Sequence, residues 1–162
     1  MKKTIVTLAM FITCQGIFAQ SMDDVFNRFK KKEGAEYVSI PPFMLKLGRL
    51  FMGKGGKDYR FMKGVNSITI LDMEECSSST RKEFQHEANQ LELKGYETLL
   101  QAKEKGETVK LIAKMDEDTI HELIFVITGK EECVLTKMKG KIKKEDINAM
   151  INGDKIMIDG CK

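Results

Sequence analysis

Between Glu107 and Met115, apolar residues alternate with polar ones. Val109, Leu111, Ala113 and Met115 share one face, and this period of two predicts a half-buried strand. An acidic turn, Asp116-Glu117-Asp118, leads to Thr119–Thr128, where Leu123-Ile124-Phe125-Val126-Ile127 is apolar without interruption. Such a run predicts a strand covered on both faces. After the turn cluster Gly129-Lys130-Glu131, alternation resumes from Glu132 to Lys139, and the short turns make these three strands an antiparallel meander. A helix is predicted over Lys144–Ile151, ended by Asn152-Gly153.

Upstream, the pattern is helical at first. Ser21 precedes two aspartates and then Val25, Phe26 and Phe29, which is the signature of a capped helix running to about Lys32. Gly34 ends it. Ala35–Ile40 reads as a strand stopped by Pro41-Pro42, and Phe43–Met52 as a helix with Phe43, Met44, Leu47, Leu50 and Phe51 on one face. Gly53–Lys57 reads as a loop and Val65–Met73 as a strand, and a strand, helix and strand in this order predict parallel pairing through a right-handed crossover. Thr80 and Glu83 have capping-box spacing, and the helix they open carries Phe84, Ala88 and Leu91. It breaks near Lys94-Gly95 and continues as a helical segment from Tyr96 to Lys105, with Gly106 as its C-cap.

Composition fits this reading with a single domain, since 162 residues with 42% hydrophobic and 31% charged side chains suffice for one core. The first residues stand apart: Lys2-Lys3, an apolar run from Thr4 to Phe18, and Ala19 form the pattern of a secretory signal peptide over residues 1–19. The single domain is then 20–162, exported to the periplasm or secreted. A lipid anchor on Cys14 is the alternative, although Phe11-Ile12-Thr13 lacks the small residue such a signal carries beside its cysteine. Loss of the leader removes two lysines and takes the net charge from +3 to +1, so global charge names no partner, and export argues against nucleic acid. Cys76, Cys133 and Cys161 remain, an odd number in which one bridge could form, and their spacing matches no zinc site.

No catalytic, cofactor or metal constellation emerges. Gly48 to Lys54 copies part of a phosphate loop, but Gly55 stands where Ser or Thr would hold magnesium, and Gly48 falls inside a helix. Ser77-Ser78-Ser79-Thr80 caps a helix, with only His86 and His121 available as a base. Asp116-Glu117-Asp118 and Glu74-Glu75 lack a calcium loop.

The segment Phe43–Lys63 is different in kind. Lys46, Arg49, Lys54, Lys57, Arg60 and Lys63 face one acidic residue, Asp58, for a net +5, and Phe43-Met44, Phe51-Met52 and Phe61-Met62 repeat through it. In one account the Phe and Met side chains fill the core and the cations are solvated. In the other, the six cations with Phe51 and Phe61 make a basic, apolar-edged surface for an anionic lipid or an envelope protein. A further cluster, Lys137, Lys139, Lys141, Lys143 and Lys144, reads as protection of a terminal strand.

Tyr96-Glu97-Thr98-Leu99-Leu100, Gly106 to Leu111, Glu122 to Val126 and Lys139 to Ile142 through Asp146-Ile147, with Gly64 ahead of the Ile68 strand, resemble a family of small exported proteins of the Bacteroides group, domain-of-unknown-function family 4252. The resemblance implies an α+β envelope domain, with some members near genes for extracytoplasmic signalling, and it carries over no active site. The expectation is an α+β domain with a mixed sheet of about five strands, a βαβ unit joined to a C-terminal antiparallel meander, and helices largely on one face. The expected function is non-enzymatic binding or sensing. The alternative is a hydrolase-like enzyme using carboxylates gathered by folding.

Overall fold

A computed structural model describes residues 21–51, 57–89 and 95–149. The predicted leader, Cys14 and Cys161 lie outside this range. Ten elements follow one another: α1 (Met22–Phe29), β1 (Glu36–Ile40), α2 (Pro42–Phe51), α3 (Lys57–Gly64), β2 (Val65–Asp72), α4 (Ser78–Asn89), β3 (Glu97–Glu104), β4 (Glu107–Asp116), β5 (Thr119–Thr128) and β6 (Cys133–Lys143). A short helix, α5 (residues 144–149), closes the described chain.

The α+β class and the meander are as expected, and the six strands form one sheet in the order β1-β2-β6-β5-β4-β3. Every ladder is antiparallel, so the sheet is not mixed. The strand–helix–strand unit does make neighbours of β1 and β2, but they run in opposite directions. Ile40 at the end of β1 lies opposite Ile68, three residues into β2, so the chain re-enters the sheet at the end it left. Two helices, α2 and α3, separate the strands where one was expected, and residues 53–56 of the expected loop lie outside the described residues.

A second difference is β3, where a helical segment was expected. Lys105 and Gly106 both have positive φ, 49° and 90°, and Glu104 pairs with Glu107 across them. That is a two-residue hairpin turn whose twist suits antiparallel strands, so the glycine closes a hairpin instead of ending a helix.

Helices cover both faces of the sheet rather than one. On the first face α1 and α4 enclose Met22, Val25, Phe26, Phe29, Phe84 and Ala88 with Leu71, Ile112, Ile124, Val126 and Leu135. Phe29 and Phe84, both fully buried, meet edge to face with centroids 5.3 Å apart. On the opposite face α2, α3 and α5 contribute Leu45, Phe61 and Ile147 to a core with Val65, Leu111, Ala113, Ile120, Leu123 and Ile142. The central strand β5 feeds both cores, Ile124 and Val126 to one and Leu123 and Phe125 to the other, as its unbroken apolar run implies.

Local chemistry explains the ends. Ser21 and Asp24 form a reciprocal capping box at α1, and this hydroxyl contact holds the Asp24 carboxyl below its usual range. At α4 the cap is Ser77 rather than Thr80: its hydroxyl accepts from the Thr80 amide at 3.3 Å, and its carbonyl accepts from the Arg81 amide at 3.0 Å. The two sheet edges differ. β3 carries Glu97, Gln101, Lys103 and Glu104, all exposed, whereas β1 carries one charge, Glu36, and exposes Tyr37 and Val38.

Candidate functional site

The cationic segment singled out in the sequence folds as α2 and α3, and its members separate into different roles. Arg49 is not a free surface cation. Its guanidinium donates to three carbonyl oxygens, Leu45 at 3.2 Å, Lys63 at 3.0 Å and Val65 at 3.3 Å. Lys63 belongs to the last turn of α3, whose carbonyls lack partners within the helix and attract positive charge, so Arg49 ties α2 to the end of α3 and the start of β2. Phe61 is likewise no surface residue, being 6% exposed in the second core. Lys46, Arg60 and Lys63 are exposed, with Arg60 4.0 Å from Asp146. Lys54 and the side chains of Phe51 and Lys57 lie outside the described residues.

Arg49 and the buried Leu45, one helical turn apart, set which side of α2 faces inward. With 3.6 residues per turn, Phe43, Met44, Leu47 and Leu50 occupy an arc of about 120° on the opposite side. They are 64%, 51%, 55% and 77% exposed. The amphipathic pattern had marked this face as one unit, and an inward orientation was one expected use of it. The structure turns it outward. Single exposed leucines are ordinary, whereas here four large apolar side chains are contiguous on one ridge.

The other candidate chemistry is dispersed. His121 is exposed near the β4–β5 turn, its Nε2 3.1 Å from Asp116 Oδ2. The Ser77–Thr80 run lies at the other end of β5, where Ser78 and Gly129 line a shallow depression with Arg81, Lys82 and Lys130. No serine–histidine pair is assembled between them. A second depression, of about 450 Å³, gathers two carboxylates, Asp118 and Glu145, beside Lys143 and Lys144, and Glu145 is held by Lys143 at 3.2 Å. Cys76 and Cys133 are free thiols buried in the first core, where burial pushes the Cys76 thiol up.

The lysine cluster of β6 also has a different role from the one expected. β6 lies between β2 and β5, so it is not an edge needing protection. Lys137, almost fully buried, pairs with Asp23 of α1 and lies 5.1 Å from the Phe26 ring centroid. Lys139 sits 3.5 Å from Glu122, whose other oxygen accepts from the Tyr96 hydroxyl at 2.7 Å. Burial, reinforced by that bond, pushes the Tyr96 phenol far up, so it stays a donor. Tyr96→Phe is expected to lower stability by about 1 kcal/mol, since Glu122 keeps Lys139. Urea unfolding checks this, and an unchanged midpoint would mean the bond contributes nothing net.

Residues 29–150 of this chain match the family described as Domain of unknown function (DUF4252). The chain belongs to this family. The match spans β1 to α5 and begins at Phe29, so most of α1, with Met22, Val25 and Phe26, precedes the DUF4252 match although these residues complete the first core. No curated protein and no solved structure matches the chain. For a DUF4252 protein the functional reading therefore rests on the surface itself.

Proposed function

We propose that this DUF4252 protein is a non-enzymatic binding or sensing module whose contact surface is the outward ridge of α2. The observation that carries the reading is the exposure of Phe43, Met44, Leu47 and Leu50 on one side of a helix whose other side is pinned by Arg49. Exposed apolar surface is costly in water, and a ridge of this kind is relieved by burial against a partner. Arg49 matters because it prevents the helix from rolling its apolar side inward. Export, read from residues 1–19, would place this surface in the cell envelope, where the sensing role suggested by the family resemblance would operate.

The reading is tested with an environment-sensitive apolar dye. Leu47→Ser combined with Leu50→Ser is expected to cut dye binding several-fold while changing stability by less than about 0.5 kcal/mol per site, because neither side chain contributes to a core. Dye binding equal to wild type, in a protein that sedimentation shows to be monomeric, would overturn the reading.

A further inference from the structure

The ridge is apolar at each of its four positions, Phe43, Met44, Leu47 and Leu50, so it offers no hydrogen bond by which a protein surface would be read. Exposures from 51% to 77% belong to a ridge that stands clear of its surroundings, not to the wall of a groove. An occupant must therefore be apolar and able to close around a convex helix, which a fluid acyl layer does without shape complementarity. The segment that carries the ridge is strongly cationic. Lys46 lies next to the ridge on α2, and Lys63 and Arg60, the latter 4.0 Å from Asp146, lie on α3; all three are exposed, and between Pro41 and Gly64 the only acidic residue is Asp58. Helices that lie in the plane of a membrane surface have this composition, an apolar side entering the boundary between headgroups and acyl chains and cations meeting the phosphates.

We propose that α2 is an interfacial helix that seats the domain on an anionic phospholipid surface, with Phe43, Met44, Leu47 and Leu50 inserted and Lys46, Arg60 and Lys63 at the headgroups. The proposal rests on the reading of α2 as the contact surface and names its partner. Arg49 holds the ridge outward through its bonds to the Lys63 and Val65 carbonyls.

Co-sedimentation with vesicles of phosphatidylcholine, with and without phosphatidylglycerol, provides the test. Wild type, Leu47→Ser/Leu50→Ser and Lys46→Ser/Arg60→Ser/Lys63→Ser are compared with the same N-terminus, and circular dichroism verifies that each is folded. Wild type is expected to pellet with the phosphatidylglycerol vesicles. The triple cation variant is expected to bind about a hundredfold more weakly, roughly fivefold per cation, and added salt to act in the same direction. The double leucine variant is expected to lose at least about tenfold. Equal pelleting on both vesicle types, or binding that neither variant changes, would overturn the proposal. So would self-association that Leu47→Ser/Leu50→Ser abolishes in a chain that ignores vesicles, although α2 would then remain the contact surface with a second copy as partner. Absence of vesicle binding and of self-association, together with an unaltered dye signal, would remove both readings.

Discussion

Replacing Gly140 with alanine is expected to cost about 3 kcal/mol and to lower the melting temperature by roughly 10 °C. Gly140 lies in β6 where the end of α3 crosses it, and a Cβ there would sit 2.0 Å from the Gly64 carbonyl oxygen and 3.0 Å from the Val65 Cα. The obstructing atoms are backbone, so no rotamer change relieves the contact, and α3 and the start of β2 would have to move together. Gly64 is matched to it: its own Cβ would lie 2.6 Å from the Lys141 carbonyl oxygen. These glycines are required for close approach, not for an unusual backbone angle. Gly48, within α2, has nothing within 4 Å of its added Cβ, and Gly48→Ala is expected to stabilise by about 0.5–1 kcal/mol. Thermal melts of both variants decide the matter, and a Gly140→Ala protein that melts with wild type would show that the crossing is looser than described.

The second large effect is expected at the Asp23–Lys137 pair. Asp23→Ala leaves the Lys137 ammonium almost buried and without its carboxylate, which costs about 2 kcal/mol, less than a fully buried pair because Asp23 itself is largely exposed. Lys137→Met removes the charge with its desolvation cost and fills the same space, so it is expected to be close to neutral. The pair also predicts a pH dependence. The hydrogen bond from Lys137 holds the Asp23 carboxyl below its usual range, with burial opposing and the nearby charges of Lys137 and Lys139 assisting. A depressed native pKa gives stability that is present above the unfolded value of about 3.9 and is lost as pH falls through the native value. The difference in urea midpoint between wild type and Asp23→Ala should therefore be constant near neutrality and vanish in strong acid. A difference that grows on acidification would contradict the assignment.

Much of the scaffold was legible in the sequence, although β4, expected to be half-buried, buries Ile112 in the core opposite Leu111 and Ala113 and bulges at Lys114–Met115. Val109, Leu111 and Ala113 share a face, and the uninterrupted run in β5 correctly implied cover on both sides. β3 was not legible, for a definite reason. A bulge between Thr98 and Leu100 places the adjacent Leu99 and Leu100 in the same core, breaking the period of two and leaving a spacing with Tyr96 that mimics a helix. Lys105-Gly106 deepened the ambiguity, because a glycine of positive φ ends helices and closes hairpins alike.

The candidate site was half legible. Amphipathicity identified the apolar side of α2 as a unit, and the density of cations drew attention to the segment. Which side turns inward depends on Arg49 finding carbonyls at positions 63 and 65, 14 and 16 residues further along the chain. Phe61 illustrates the converse: it looked like a partner of Phe51 in the Phe-Met repeat, yet α3 directs it into the core. Lys137 could not be assigned at all from local pattern, since its partner Asp23 lies 114 residues earlier.

The unequal edges of the sheet have a consequence for behaviour at high concentration. Strand addition is discouraged on β3 by its charges, and it is possible on β1 for only five residues before Pro41 removes a backbone donor. Among the described residues the sheet has one receptive edge, and so a valence of one. Two such molecules joined edge to edge through β1 present only charged strands to a third, so growth by strand addition ends at a pair rather than propagating into a fibre.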